Sequence, residues 1–292
     1  MILAGLLCLG GGIWAGLTLT GPASAGFSLD QPEAAATQVP HPSFDPLQGD
    51  VDDLLRTAGA TGGVTLTELG GPSPQTWSDG GTTSFTAAST YKLPLLMMEA
   101  QNEASGRWHA RDSLCFIASD AEDGYFDDYE PGTCLTRSRL MQRVGEYSDN
   151  TAAHILVRYA GGSSALNAYA QAHGAQSSAF FVPNTTTSDD LARLWANEYA
   201  GHAGGRAAQQ ILYPFLTHTA YEDGIPAGVP SSATVVHKIG DVDQEVNDAA
   251  LVEHGPKGDY VLVICTQGTP GDPGWALLAS ISRTVWQYEA TR

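Results

Sequence analysis

Apolar positions recur along this chain with two different periods. Spacings of three and four predict amphipathic helices, and alternation predicts strands. Helices are expected from Val51 to a stop near Gly59, and in the apolar run that follows Ser89 within Phe85–Ala100. Further helices are expected over Leu140–Val144, Thr151–Tyr159, Ser164–Ala172, Ser188–Tyr199 and Arg206–Leu216, the last disturbed by Pro214. Ser188 is placed as an N-cap, with Asp189 and Asp190 in the first turn behind it. A closing helix spans Trp275–Tyr288, with Leu278, Ile281 and Val285 on one face. Strands are expected at Gly63–Leu69, Gln75–Trp77 and Thr83–Phe85, then at Ala233–Ile239, Asn247–Glu253 and Asp259–Gln267.

Strands thus sit at both ends and helices fill the middle. The pattern implies an α+β fold. N- and C-terminal strands form one antiparallel sheet, and the terminal helices cover one face. An all-helical subdomain, about residues 90–225, packs on the other face.

Ahead of that domain, residues 2–20 are almost wholly apolar, and Ala23-Ser24-Ala25 has the small-x-small form of a cleavage site. Residues 1–25 are read as a signal peptide cut after Ala25 or, if retained, a membrane anchor. Residues 26–48, with Pro32, Pro40, Pro42 and Pro46, are read as a linker, which leaves 49–292 as the folded domain. The protein is therefore expected to be secreted or extracytoplasmic, touching a membrane only through an uncut N-terminal segment. A formal charge of −18 argues against nucleic acid as a partner. Export also permits a disulfide, and Cys115 and Cys134, which flank an acidic loop, are the favoured pair. Cys265 lies in the run Tyr260–Cys265 and is read as a buried strand thiol.

The chemistry centres on Ser89-Thr90-Tyr91-Lys92. A serine in the first turn of a helix and a lysine three residues on share one helix face. An amine kept neutral by burial can then take the hydroxyl proton. Only three lysines are present, Lys92, Lys238 and Lys257, and Lys238 lies in a second distinctive triplet, Lys238-Ile239-Gly240, at a strand end. A third triplet, Ser148-Asp149-Asn150, falls at a loop-to-helix junction. No metal-ligand spacing or phosphate loop accompanies them, and no cofactor is expected.

In this order the three triplets resemble those of the serine penicillin-recognising hydrolases, in particular class A β-lactamases, over about residues 50–290. Ser148–Ala153, Asn184–Leu194 and Asn247–Ala250 add local likeness. The resemblance implies a β-lactamase/transpeptidase-like fold and a serine hydrolase working through an acyl-enzyme on Ser89. Lys92 is then the proton acceptor and Ser148 a proton relay. Asn150 is a partner for Lys92 and for a substrate amide, and Lys238 is the positive charge that meets a substrate carboxylate and keeps Lys92 neutral. The backbone N–H groups of Ser89 and Asp241, beside Gly240, become an oxyanion hole, with each donor worth ~3 kcal/mol. His237 is placed as a residue lining the cleft. The substrate class implied is a small-molecule or peptide amide, either a β-lactam or a peptidoglycan-like peptide.

Two departures matter. Class A enzymes carry a glutamate on the loop that follows the Ser-Asp-Asn helix, and it activates the deacylating water. The segment 175–183, AQSSAFFVP, holds no acid; Asn184 is set against that loop's terminal asparagine, and Glu146 is the acid nearest a motif in sequence. Ile239 also stands where a hydroxyl is expected, and Asp241–Ala250 contains no arginine. Release of the acyl group is therefore expected to be slow. Two alternatives stay beside the β-lactamase reading. One is a D,D-peptidase, transpeptidase or other envelope amide/ester hydrolase. The other is a catalytically weak β-lactam-binding or sensor module.

Overall fold

The computed structural model describes residues 43–71 and 73–292. The expected leader and most of the expected linker lie outside the described residues. The chain runs through α1 (Asp45–Ala58), β1 (Thr61–Glu68), β2 (Thr76–Asp79) and β3 (Phe85–Thr86). A 3-10 turn, Ala88–Tyr91, leads into α2 (Lys92–Ala104). Then come β4 (Ser113–Cys115), β5 (Cys134–Thr136), α3 (Arg137–Glu146), α4 (Asn150–Ala160) and α5 (Gly162–Ala172). The remainder is β6 (Thr185–Thr186), α6 (Ser188–Tyr199), α7 (Gly205–Leu212), β7 (Thr234–Val242), β8 (Glu245–Glu253), β9 (Tyr260–Gln267) and α8 (Asp272–Thr291).

The principal sheet has the order β2-β1-β9-β8-β7, with every neighbouring pair antiparallel. Its two faces follow directly from strand alternation. Ala250, Val252, Leu262 and Ile264 pack with Leu47, Val51 and Leu55 of α1 and Leu278, Ile281 and Val285 of α8. Ala249, Leu251, Val261, Val263 and Cys265 face the helical half, packing with Leu96, Leu156 and Trp195 among others. The Trp195 indole N–H fixes that contact by donating to the Ala249 carbonyl at 3.1 Å.

Three differences from the sequence reading change the picture. Helix α1 begins at Asp45 rather than Val51, so residues 45–48 belong to the folded domain and not to the linker. Pro46 sits in its first turn, where a missing N–H leaves no bond unmade, and Leu47 is fully buried. The N-cap of α6 is Thr187 rather than Ser188, because the Thr187 hydroxyl accepts from the Asp190 N–H at 3.1 Å. The middle is not purely helical either: β4 pairs with β5, and β6 pairs with β3. In the β4–β5 ribbon Cys115 and Cys134 stand opposite one another and are joined as a disulfide. Cys265 is a free, buried thiol.

Candidate active site

Ser89 lies in the 3-10 turn and Lys92 is the first residue of α2, so the pair spans the junction between the two helices. Lys92 is fully buried, and its ammonium nitrogen donates to Ser89 Oγ at 2.9 Å. The same nitrogen donates to Asn150 Oδ1 and the Ser148 carbonyl at 2.6 Å each, and reaches Ser148 Oγ at 3.3 Å. Ser148 Oγ in turn accepts from Lys238 Nζ at 2.9 Å. One hydroxyl therefore bridges the two lysines, with Ser89 at one end of the chain of contacts.

Both amines are held toward their neutral form. Burial lowers the Lys92 pKa to about 7, against the opposing pull of Asp149, Glu122 and Asp241. Burial also lowers Lys238 well below the ordinary lysine range, and the like charge of Lys92 adds to it. Burial, not Lys238, is thus the first reason that Lys92 can be neutral. A neutral amine 2.9 Å from a serine hydroxyl has the geometry of a general base beside a nucleophile.

The backbone around Ser89 is held in sparsely populated conformations. Ala88 has φ +48° and Ser148 has φ +54°, conformations that cost a non-glycine residue about 1 kcal/mol or more. Two asparagines hold the first of them. Asn184 donates from Nδ2 to the Ala88 carbonyl at 3.0 Å, and its own carbonyl accepts from the Ala87 N–H at 3.0 Å. Asn247 donates to the Thr86 carbonyl at 2.9 Å while its Oδ1 accepts from the Thr266 N–H. Asn247 is opposite Gly240 in the β7–β8 register, so the sheet itself positions the turn that carries Ser89.

Strand β7 supplies the facing wall. The His237 N–H points off its outer edge, donating to the Leu216 carbonyl at 2.8 Å. By the two-residue period of a strand, the N–H groups of Ile239 and Asp241 point the same way. Gly240 lies against the nucleophile turn: a Cβ there would fall 2.8 Å from Ser89 N and Thr90 N. Only glycine permits that approach. Gly240 thus brings the strand that carries the Asp241 N–H against the turn that carries the Ser89 N–H, an arrangement that suits a pair of oxyanion donors.

Alternation also moves one expected residue out of the cleft. Lys238 and Gly240 face the helical half, so His237 and Ile239 face the opposite side of the sheet. His237 is fully buried there, with Nδ1 2.9 Å from Asp248 Oδ1 and Nε2 3.4 Å from Glu222. It does not line the cleft. Burial pulls its pKa down, but Asp248 and Glu222 outweigh burial and hold it up at about 9. The network ties the segment carrying Thr219, Tyr221 and Glu222 to the back of β7.

Asp149, the middle residue of its triplet, has a role that the motif does not reveal. It is fully buried and caps α4, accepting from the Ala152 N–H at 2.8 Å. It also accepts from the Tyr129 hydroxyl at 2.7 Å and the Phe126 N–H at 3.0 Å, pinning the acidic loop over the site. Asn150 completes the anchor, donating from Nδ2 to the Asp123 carbonyl at 2.6 Å. The segment 175–183 contributes no carboxylate. Glu146 accepts from Gln142 Nε2 on its own helix at 2.9 Å. The Glu122 carboxylate pairs with His154 Nε2 at 2.6 Å, one helical turn beyond Asn150.

The fold has known counterparts. The structure of PBP-A is 26% identical with a TM-score of 0.78, over 84% of this chain and 96% of its own. A variant of PBP-A, solved as an acyl-enzyme complex with penicillin G, is 25% identical with a TM-score of 0.77, over 83% of this chain and 95% of its own. A beta-lactamase from Sphaerobacter thermophilus, 23% identical with a TM-score of 0.76, shares the fold over 86% of this chain and 99% of its own. The family model described as the beta-lactamase enzyme family matches residues 46–289, from the first turn of α1 to the last turns of α8, and the chain belongs to that family of serine acyl-enzyme hydrolases.

Proposed function

We propose that this protein is an exported hydrolase that opens β-lactam-type amides through an ester on Ser89. The observation that carries the reading is the 2.9 Å contact between Ser89 Oγ and a buried Lys92 amine whose pKa is lowered to about 7. Lys92 takes the hydroxyl proton as Oγ adds to the carbonyl carbon. The Ser89 and Asp241 N–H groups stabilise the oxyanion. The carbon–nitrogen bond then breaks, and the leaving nitrogen receives a proton through Ser148, which Lys92 and Lys238 both contact. Water must finish the cycle by cleaving the Ser89 ester.

That last step is the weak one. Loop 175–183 offers no carboxylate to activate the water, so the acyl-enzyme should persist. Recognition of a substrate carboxylate is weakened too, because the hydroxyl that the resemblance expects between Lys238 and Gly240 is replaced by the buried Ile239; a lost hydrogen bond to a charged group costs roughly 1.5–3 kcal/mol. The same acid-free loop supports a second reading, a D,D-peptidase or transpeptidase of the cell envelope, in which water (peptidase) or an amine (transpeptidase) slowly takes the acyl group from Ser89. The Cys115–Cys134 disulfide supports an oxidising, extracytoplasmic setting for either.

Intact-mass measurement after incubation with penicillin G tests the proposal. A lasting adduct on the wild type, absent from Ser89→Ala, is expected. No adduct on the wild type would end the penicillin-recognising reading. A transient adduct with rapid turnover of a chromogenic cephalosporin would overturn the slow-release part alone.

A further inference from the structure

Release of an acyl group from Ser89 needs a base that takes a proton from water, and loop 175–183 holds no carboxylate to serve. A pair formed between α4 and the acidic loop has the composition for that task. His154 Nε2 lies 2.6 Å from Glu122 Oε2. In the neutral ring a carboxylate at that distance requires the proton on Nε2, which leaves the lone pair on Nδ1. Among the described residues Nδ1 has no hydrogen-bond partner, and the side chain is 20% exposed and so open to water. Glu122 is itself held in place. Thr151 Oγ1 donates to the Glu122 carbonyl at 2.9 Å and accepts from the Glu122 N–H at 3.1 Å, while Asn150 Nδ2 donates to the Asp123 carbonyl at 2.6 Å. The first turn of α4 therefore clips residues 122–123 beside His154. An imidazole oriented by a fixed carboxylate has the arrangement of a general base.

A closed circuit of contacts ties that pair to Ser89. Ser89 Oγ meets Lys92 Nζ at 2.9 Å, and Lys92 Nζ meets Asn150 Oδ1 at 2.6 Å. Asn150 and His154 are four residues apart on α4, so the helix face that presents Asn150 to Lys92 presents His154 one turn on, with about 5–6 Å between their Cβ atoms. The His154 ring meets Phe181 edge-to-face at 4.9 Å between centroids, and Phe181 meets Tyr91 at 5.6 Å. Tyr91 shares the 3-10 turn with Ser89. Asn184 ties the segment carrying Phe181 to the same turn, through the Ala88 carbonyl and the Ala87 N–H. Lys92, Asn150, His154, Phe181 and Tyr91 thus form a ring that closes on Ser89.

We propose that His154, oriented by Glu122, is the base that activates the water releasing the acyl group from Ser89. A water proton passes to His154 Nδ1 as the water oxygen bonds to the ester carbon. The carbon–Oγ bond then breaks, the proton held on His154 returns to Ser89 Oγ, and the free acid leaves. Phe181 lies against the imidazole and narrows the approach of water, so release by this route stays slow. The inference rests on the reading of Ser89 as the acylated nucleophile.

The penicillin G adduct on the full chain tests it, with intact mass giving acylation and release rate constants for each variant. The readout is release divided by acylation, so a general loss of activity leaves it interpretable. His154→Gln should lower this ratio by about 10²-fold or more, and Glu122→Gln should lower it several-fold. Added imidazole should raise release in His154→Ala and leave the wild type unchanged. An unchanged ratio in His154→Gln, or a wild-type adduct that never releases its acyl group, would overturn the inference while Ser89 acylation stood. So would a fall that Glu122→Gln does not share and imidazole does not restore, since His154 would then only support the fold. Absence of any adduct on the wild type would overturn the Ser89 reading itself, and this inference with it.

Discussion

The amine of Lys92 donates a 2.9 Å hydrogen bond to the Ser89 hydroxyl from a site with no solvent exposure. Burial sets the amine's pKa at about 7, inside the range where enzymes work. An ammonium has no lone pair to accept a proton, so acylation should depend on the neutral form. The acylation rate constant for penicillin G should rise with pH through about 7 and then level off. About one pH unit below that midpoint and beyond, it should fall about tenfold for each further pH unit. Lys92→Arg, which keeps the charge and cannot lose it, should cost about 10²–10⁴-fold at a pH where the wild-type rate has levelled off. A flat profile across the midpoint would remove Lys92 from the base role.

Gly240 gives a sharper geometric test. A Cβ at this position would sit 2.8 Å from three backbone atoms, the Ala87 carbonyl oxygen and the nitrogens of Ser89 and Thr90. Backbone cannot rotate away, so Gly240→Ala must push β7 off the nucleophile turn. Losing the alignment of one oxyanion donor typically costs about 10²–10³-fold. Stopped-flow acylation should show a loss of that size in the rate constant at saturation. Ile239→Val, one residue away on the opposite face of the strand, should change it by less than about threefold.

The fold was legible because its periods are strong. The β8 and β9 runs alternate between two buried faces, and the terminal helices carry apolar stripes that only such a sheet can cover. The three triplets bring Ser89, Lys92, Ser148, Asn150 and Lys238 together by motif alone. What escaped was set by direction rather than identity. His237 adjoins Lys238, but neighbouring strand residues face opposite ways, and its side chain meets Asp248 behind the sheet. Counting in twos from Lys238 and Gly240 reveals this. The α1 start is hidden by Pro46, which reads as one more linker proline although proline also favours a first helical turn. The anchoring by Asp149 has no sequence signal, since its partners Phe126 and Tyr129 lie in a loop without periodicity.

His237 makes stability depend on pH in a stated direction. Its pKa is raised from 6.5 to about 9 by Asp248 and Glu222, so the folded state holds a proton that the unfolded chain releases. The stabilisation is complete below pH 6.5 and is lost as pH rises through about 9. Each pH unit between those two values is worth about 1.36 kcal/mol, which makes the whole contribution about 3 kcal/mol. The difference in unfolding free energy between wild type and His237→Gln should therefore shrink by about that amount as pH rises from below 6.5 to above 9 in urea titrations. A difference that stayed constant with pH would mean the imidazole is neutral in the fold.

The Cys115–Cys134 bridge and Asp149 hold the same loop in two ways, and they should separate experimentally. The disulfide closes a segment of sequence separation 19. Chain entropy for a loop of that length gives about 3 kcal/mol of stabilisation, or a fall of about 6–12 °C in Tm for the Cys115→Ser/Cys134→Ser variant. The loop's inner end, however, is fixed by bonds from Tyr129 and Phe126 to Asp149 and from Asn150 to the Asp123 carbonyl. Acylation of Ser89 by penicillin G, measured well below Tm, should then stay within about threefold of wild type in the cysteine-free variant. Asp149→Ala should show the converse weighting. It leaves the Tyr129 hydroxyl and the α4 N-terminus without their acceptor, frees the loop from Asn150, and lets Asn150 swing away from Lys92. Acylation should drop by about 10²-fold or more even at a temperature where circular dichroism reports the variant folded. If the cysteine-free variant loses acylation as severely as Asp149→Ala, the bridge rather than the aspartate positions the loop over the site.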